Sequence, residues 1–169
     1  MPLGGTMFVS TASVSAISNA GPTSMIGTGV GTLTIPANFL VPGRSLRIEI
    51  AGTISTGSAT PTLNLFLKLG ATNIATPGAK ALTTSITTGD FYCVAILTAQ
   101  AAPSGSSAVA GNISFIHNNA TATVSMVGAS GSASVATNGT LALDVTATTA
   151  AGTGTTTVTP TMCIVTVIA

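Results

Sequence analysis

The amino-acid sequence predicts an all-β protein: an antiparallel β-sandwich, jelly-roll-like, of eight or nine strands. Three observations predict it. Apolar and polar residues alternate with a period of two, most cleanly at Leu46, Ile48 and Ile50 and again at Leu63, Leu65, Leu67 and Leu69; this is the pattern of a strand with one buried face. Strong helix formers are scarce, with one Glu, one Gln and two Lys in 169 residues, and the abundant Thr and Val suit a pleated, half-buried surface. Clusters of Gly, Pro, Asn and Ser separate the apolar runs at roughly 10- to 20-residue intervals, as two packed antiparallel sheets require.

Residues 1–24 read as an N-terminal arm or a first edge strand, punctuated by Gly4-Gly5 and Gly21-Pro22,. Residues 25–169 read as one β-sandwich domain. Met25 to Ile35 is expected to be a strand with a bare backbone at Gly27, Gly29 and Gly31. Pro36 and Pro42 bracket a loop, because proline cannot donate to a ladder. Arg44 to Ile54 and Thr62 to Leu69 are the two best-defined strands and carry three of the four basic residues. Gly70 to Thr72 turns the chain into a short partner, Asn73 to Thr76. Leu82 and Ile86 mark another short segment, and Asp90 to Thr98 is the most apolar strand. Ala101 to Ala110 reads as a loop, Asn112 to His117 and Thr121 to Val127 as strands. Ser130 to Thr140 is small and polar, closed by Asn138-Gly139, a favoured hairpin dipeptide. Leu141 to Val145 alternates again, and Thr161 to Ile168 forms a last strand.

Charge excludes more than it suggests. Charged residues make up 4% of the chain and the net charge is +1, against about 25% charged in ordinary domains. A compact body of 16.3 kDa exposes roughly 7,500 Å², so the surface carries about one formal charge per 1,000 Å². Free monomers normally rely on a denser, mixed-sign surface. The expectation is therefore a surface covered in the working state by copies of the chain or by a larger assembly. Clustered Lys and Arg for phosphate binding are missing, so no nucleic acid is expected. No apolar run reaches the ~18 residues of a membrane helix, and residues 1–20 lack the basic start of a signal peptide.

Acid–base chemistry would have to draw on Glu49, Asp90, Asp144 and His117, the only such residues in the sequence,. They are scattered, and no Gly-x-Ser-x-Gly elbow presents a nucleophile. No enzyme, no catalytic residue, no cofactor and no metal site is expected: two Cys and one His offer no ligand cluster. Spacing leaves open whether Cys93 and Cys163 pair, and their apolar strand context favours two buried free thiols. Phe66 stands on the face opposite the leucines of its strand, where a second layer or a subunit would cover it.

The succession Thr-Ile-Pro-Ala-Asn-Phe-Leu-Val-Pro-Gly-Arg-Ser-Leu-Arg-Ile at 34–48, then Thr60-Pro61-Thr62-Leu63 and Lys68-Leu69-Gly70, resembles virion structural proteins of tailed bacteriophages with jelly-roll or sandwich domains. Leu141 to Thr146 is similar to their penultimate strand. The resemblance implies a capsid decoration (cement) protein on the outer capsid surface of the virion, a homotrimer whose partners are itself and the major capsid protein. Its alternative is a head-fibre or tail component that binds a host-surface glycan. Assembly contacts are expected on the N-terminal arm, at Pro2, Leu3, Met7 and Phe8, and at Phe66.

Overall fold

The computed structural model describes residues 4–18, 21–59, 61–118, 125–149 and 156–168, with the backbone alone at 125–127. Among these residues there is no helix and there are thirteen strands: β1 (Gly5–Ser10), β2 (Thr23–Ser24), β3 (Gly29–Gly31), β4 (Thr34–Ile35), β5 (Ser45–Ser55), β6 (Thr62–Leu69), β7 (Thr72–Ala75), β8 (Lys80–Ala81), β9 (Gly89–Ala99), β10 (Ser107–His117), β11 (Ser125–Val135), β12 (Leu141–Thr149) and β13 (Thr157–Val167). Five of the thirteen are pieces of two to four residues; β7 matches the short partner expected at Asn73 to Thr76, β3 and β4 lie within the strand expected from Met25 to Ile35, and β2 and β8 are too short to show a period in the sequence.

Every pairing is antiparallel. One sheet runs β11-β10-β9-β5-β13-β1-β3; the other runs β2-β12-β6-β7, with β4 beside β12 and β8 beside β6. The alternation at the centre of the chain decides which face is buried. Leu46, Ile48 and Ile50 on β5 and Leu63, Leu65, Leu67 and Leu69 on β6 are all completely buried, each stabilising the fold by roughly 1.5–3 kcal/mol of transfer free energy. Beside β5 in the same sheet, the inward rows of β9 and β10 also face the core, and there the Phe91 and Phe115 rings stack at 4.9 Å. Gly111 occupies the inward row of β10, and a Cβ there would lie 2.7 Å from Ile74 Cγ2 and 2.9 Å from Leu67 Cδ2. Its bareness lets β6 and β7 come close to the larger sheet. Total exposed area is 7401 Å², what a compact body of this mass exposes.

Several expectations change. The run Met25 to Ile35 is two fragments rather than one strand, because Gly31 takes φ 107 and breaks the extended chain,. Residues 5–10 are neither an arm nor an edge: β1 is paired on both sides, with β13 and with β3. β10 begins at Ser107, inside the stretch read as a loop, since the small residues Ala108, Ala110 and Gly111 hide its alternation. β11 joins segments read separately, and Asn138-Gly139 connects two strands of different sheets rather than closing a hairpin. Residues 121–124 lie outside the described residues. Pro160 in β13 faces Gly52, and the ladder slips by one residue at the next position, the bulge at which an internal proline is tolerated.

Candidate interaction surface

The inward rows fill the core, so the same alternation fixes what the outer face of the seven-stranded sheet shows. Across β3, β1, β13, β5, β9 and β10 the register aligns Val30, Val9, Ile164, Glu49, Val94 and Ser114 in one row. The next row aligns Met162, Ala51, Tyr92 and Ile116. A third carries Thr6, Thr166, Arg47, Ile96 and Asn112. Five of the seven exposed large hydrophobics among the described residues fall on this face: Val30 at 72% exposure, and Val9, Met162, Tyr92 and Ile116 between 36% and 41%. This band of three rows spans roughly 24 Å by 14 Å, and its apolar residues share that area with Arg47, Glu49, Thr6, Thr166, Asn112 and Ser114.

One polar cluster interrupts the band, and it neutralises itself. Arg47 Nη2 donates to Glu49 Oε1 at 3.0 Å, and the Tyr92 hydroxyl donates to the same oxygen. Tyr92 reaches Glu49 diagonally, because its directly opposed partner on β5 is Ala51,. The phenol is held above its usual range, first by the hydrogen bond to Glu49 and then by burial. The Arg47 guanidinium is likewise raised by its contacts with Tyr92 and Glu49, and its buried Nε has no partner among the described residues. Cation and anion cancel within one network, so covering this face leaves no unpaired charge there, although each ion still gives up its water.

The remaining chemistry-bearing residues are spread apart. Asp90 is exposed at the start of β9, its backbone N–H donating to Asn118 Oδ1 at 2.7 Å. Asp144, on the outer face of β12, accepts from Ser24 Oγ at 2.7 Å. His117 is buried at the end of β10; burial lowers its pKa against a weaker opposing contact with the Asn118 carbonyl. Arg44 is spent on the Phe39 loop, donating to the Phe39 carbonyl at 2.7 Å and lying 4.6 Å over its ring. Among the described residues no three His, Cys, Asp or Glu come together in a way that could hold a metal ion, and no helix is long and apolar enough to cross a membrane. Cys93 and Cys163 are free and buried. Both stand opposite Ile50, on either side of β5; two strand spacings, about 9.5 Å, exceed the reach of a disulfide. Burial pushes both thiols up to about 12.

Of the five residues expected to make assembly contacts, Pro2 and Leu3 lie outside the described residues. Phe8 is a core residue, 5% exposed and opposite Val165, so its ring is not on offer to a neighbour. Met7 is half-buried at the bulge of β1 and packs against the core. Phe66 is half-buried on the outer face of the smaller sheet, opposite Thr146. The structure does not bring Phe66 together with the β1 residues, which belong to the other sheet. Sequence reasoning missed Val9, Val30, Met162 and Ile116; the polar-face positions of their strands read simply as alternation, and only cross-strand register shows them adjacent. Compared with known proteins, the chain matches no family model, and no curated protein matches it.

Proposed function

We propose that this chain is a structural subunit of a tailed-phage virion, a capsid decoration protein with a jelly-roll body that binds the outer capsid surface as a homotrimer and bridges capsid subunits. The observation that carries the reading is the apolar band on the outer face of the seven-stranded sheet, with its one ion pair neutralised in place. A surface of this kind gains where its apolar residues are covered, with the Arg47–Glu49 pair held in mutual contact so that neither charge is left unpaired,. The strand order supports the jelly-roll body. Pairing of β1 with β13, β2 and β4 with β12, β5 with β9 and β6 with β7 describes one long antiparallel ribbon whose tip is the β6–β7 hairpin. Rolling the ribbon up brings β5 beside β13 and β6 beside β12, which gives the two sheets. The β10–β11 hairpin is an addition to that ribbon.

The role is mechanical. Copies that bind only the assembled shell stabilise it by mass action. The test mixes purified protein with capsids prepared without it and follows co-sedimentation. Wild-type protein is expected to pellet with the capsids, and a V30K/M162K variant, folded by circular dichroism, to stay in the supernatant. Wild-type protein that remains in the supernatant, or a variant that binds equally well, would overturn the reading.

A further inference from the structure

The two sheets have four edges, and three of them are closed by strands too short to recruit anything. β3 has three residues, β2 and β4 have two each, and β7 and β8 have four and two; short edge strands are one of the devices that keep sheets from pairing edge to edge. The fourth edge is different. β11 is eleven residues long, pairs with β10 over its whole length without a bulge, and hydrogen-bonds to no second strand among the described residues, while β7 packs against its inner face at Gly131. It contains no charged residue and no proline, Ser-Met-Val-Gly-Ala-Ser-Gly-Ser-Ala-Ser-Val, so it lacks the charge, proline, bulge and shortness that usually guard an open edge. Its outward residues Gly128, Ser130, Ser132 and Ser134 are exposed.

The strand is also complementary to itself. From Val127 to Val135 the sequence reads nearly the same in both directions about Gly131. An antiparallel pair of β11 strands centred on Gly131 therefore sets Ser130 against Ser132, Ala129 against Ala133 and Val127 against Val135. Like stands against like except where Gly128 meets Ser134, and no like charges meet,. An antiparallel strand pair about a two-fold axis is also the self-matching geometry of a symmetric dimer.

We propose that β11 pairs with β11 of a second copy, joining the two seven-stranded sheets into one continuous sheet through β-augmentation. This contact does not depend on the virion reading, and it uses an edge rather than the apolar face. Among the described residues the other edges are short strands, so the sheet pairing itself stops at two copies per β11 edge.

The register makes the test specific. Ser130→Cys and Ser132→Cys are made as separate variants and mixed under mild oxidation; buried Cys93 and Cys163 stay silent. Positions 130 and 132 of the two copies face one another, so the mixture is expected to form a disulfide-linked dimer at least tenfold faster than either variant alone. A second measurement guards against misfolding effects. S130K/S132K, with both positions on the exposed side of the strand, is expected to halve the sedimenting mass of the wild type, and mixing it with S130D/S132D to restore it. No preferential cross-link in the mixture, or an unchanged mass for the lysine variant, would overturn the pairing. Capsid co-sedimentation reads the virion proposal separately, so either idea can fail without the other.

Discussion

At the scale of single residues, the Arg47–Glu49–Tyr92 cluster is the best-defined polar feature of the larger sheet's outer face. Tyr92 is the only tyrosine in the sequence, so its ionisation can be followed by absorbance without interference. Its proton is held by Glu49, which raises the phenol above its ordinary value. A group whose folded pKa is raised contributes stability that is fully present below the unfolded value, about 10 for tyrosine, and that is lost as pH rises through the folded value. The expected titration midpoint in native protein thus lies above 10, and Glu49→Gln brings it down by removing the carboxylate charge that opposes phenolate formation. A midpoint at 10 in the wild type would mean that the hydrogen bond is not made. Because the cluster is partly exposed, Glu49→Gln is expected to change global stability by no more than about 1 kcal/mol.

At the scale of elements, two glycines set how closely the strands approach, and they do so in different ways. A Cβ on Gly52 would lie 2.2 Å from the Thr159 carbonyl oxygen and 2.8 Å from Pro160 Cα, both backbone atoms at the bulge of β13. A Cβ on Gly111 meets only side-chain atoms, closest at the methyl ends of Ile74 and Leu67. Side-chain ends can turn away and a paired backbone cannot, so Gly52→Ala is expected to cost about 3 kcal/mol or more and Gly111→Ala about 1–2 kcal/mol. Urea denaturation of the two variants checks the order, and a Gly52→Ala variant as stable as wild type would contradict the bulge geometry. The strands themselves were largely legible. β5, β6, β9 and the end of β13 announce themselves because large aliphatics alternate there with polar residues. The first half of β10 and the small-residue run of β11 did not, since Ala, Gly and Ser differ too little in hydropathy to show which face is buried, whereas Asn112 to His117 was legible through Ile113 and Phe115. The break at Gly31 was hidden as well, because a positive φ is a backbone choice that glycine permits but does not dictate.

At the scale of the whole molecule, alternation and the scarcity of helix formers pointed to an all-β body, and scarcity of charge suggested a covered surface without saying which face would be covered. Val9, Val30 and Met162 are separated by up to 153 positions in sequence, and they become neighbours only through the pairing of the first strands with the last. That pairing is a property of topology, which local pattern does not encode. It also fixes what binding can do. If the protein stabilises a shell by binding the assembled state and not free capsid subunits, each occupied site adds RT ln(1 + [L]/Kd), about 2.7 kcal/mol when free protein stands at one hundred times its Kd. The increment keeps growing with the logarithm of free concentration after every site is full. The denaturant midpoint for capsid dissociation is therefore expected to climb steadily as protein is added beyond saturating stoichiometry, and to stay flat with V30K/M162K. A midpoint that stops rising once the sites are filled would mean that the wild-type protein acts as a kinetic lock rather than through linkage. A midpoint that never moves would mean that the outer face of the seven-stranded sheet has some other occupant.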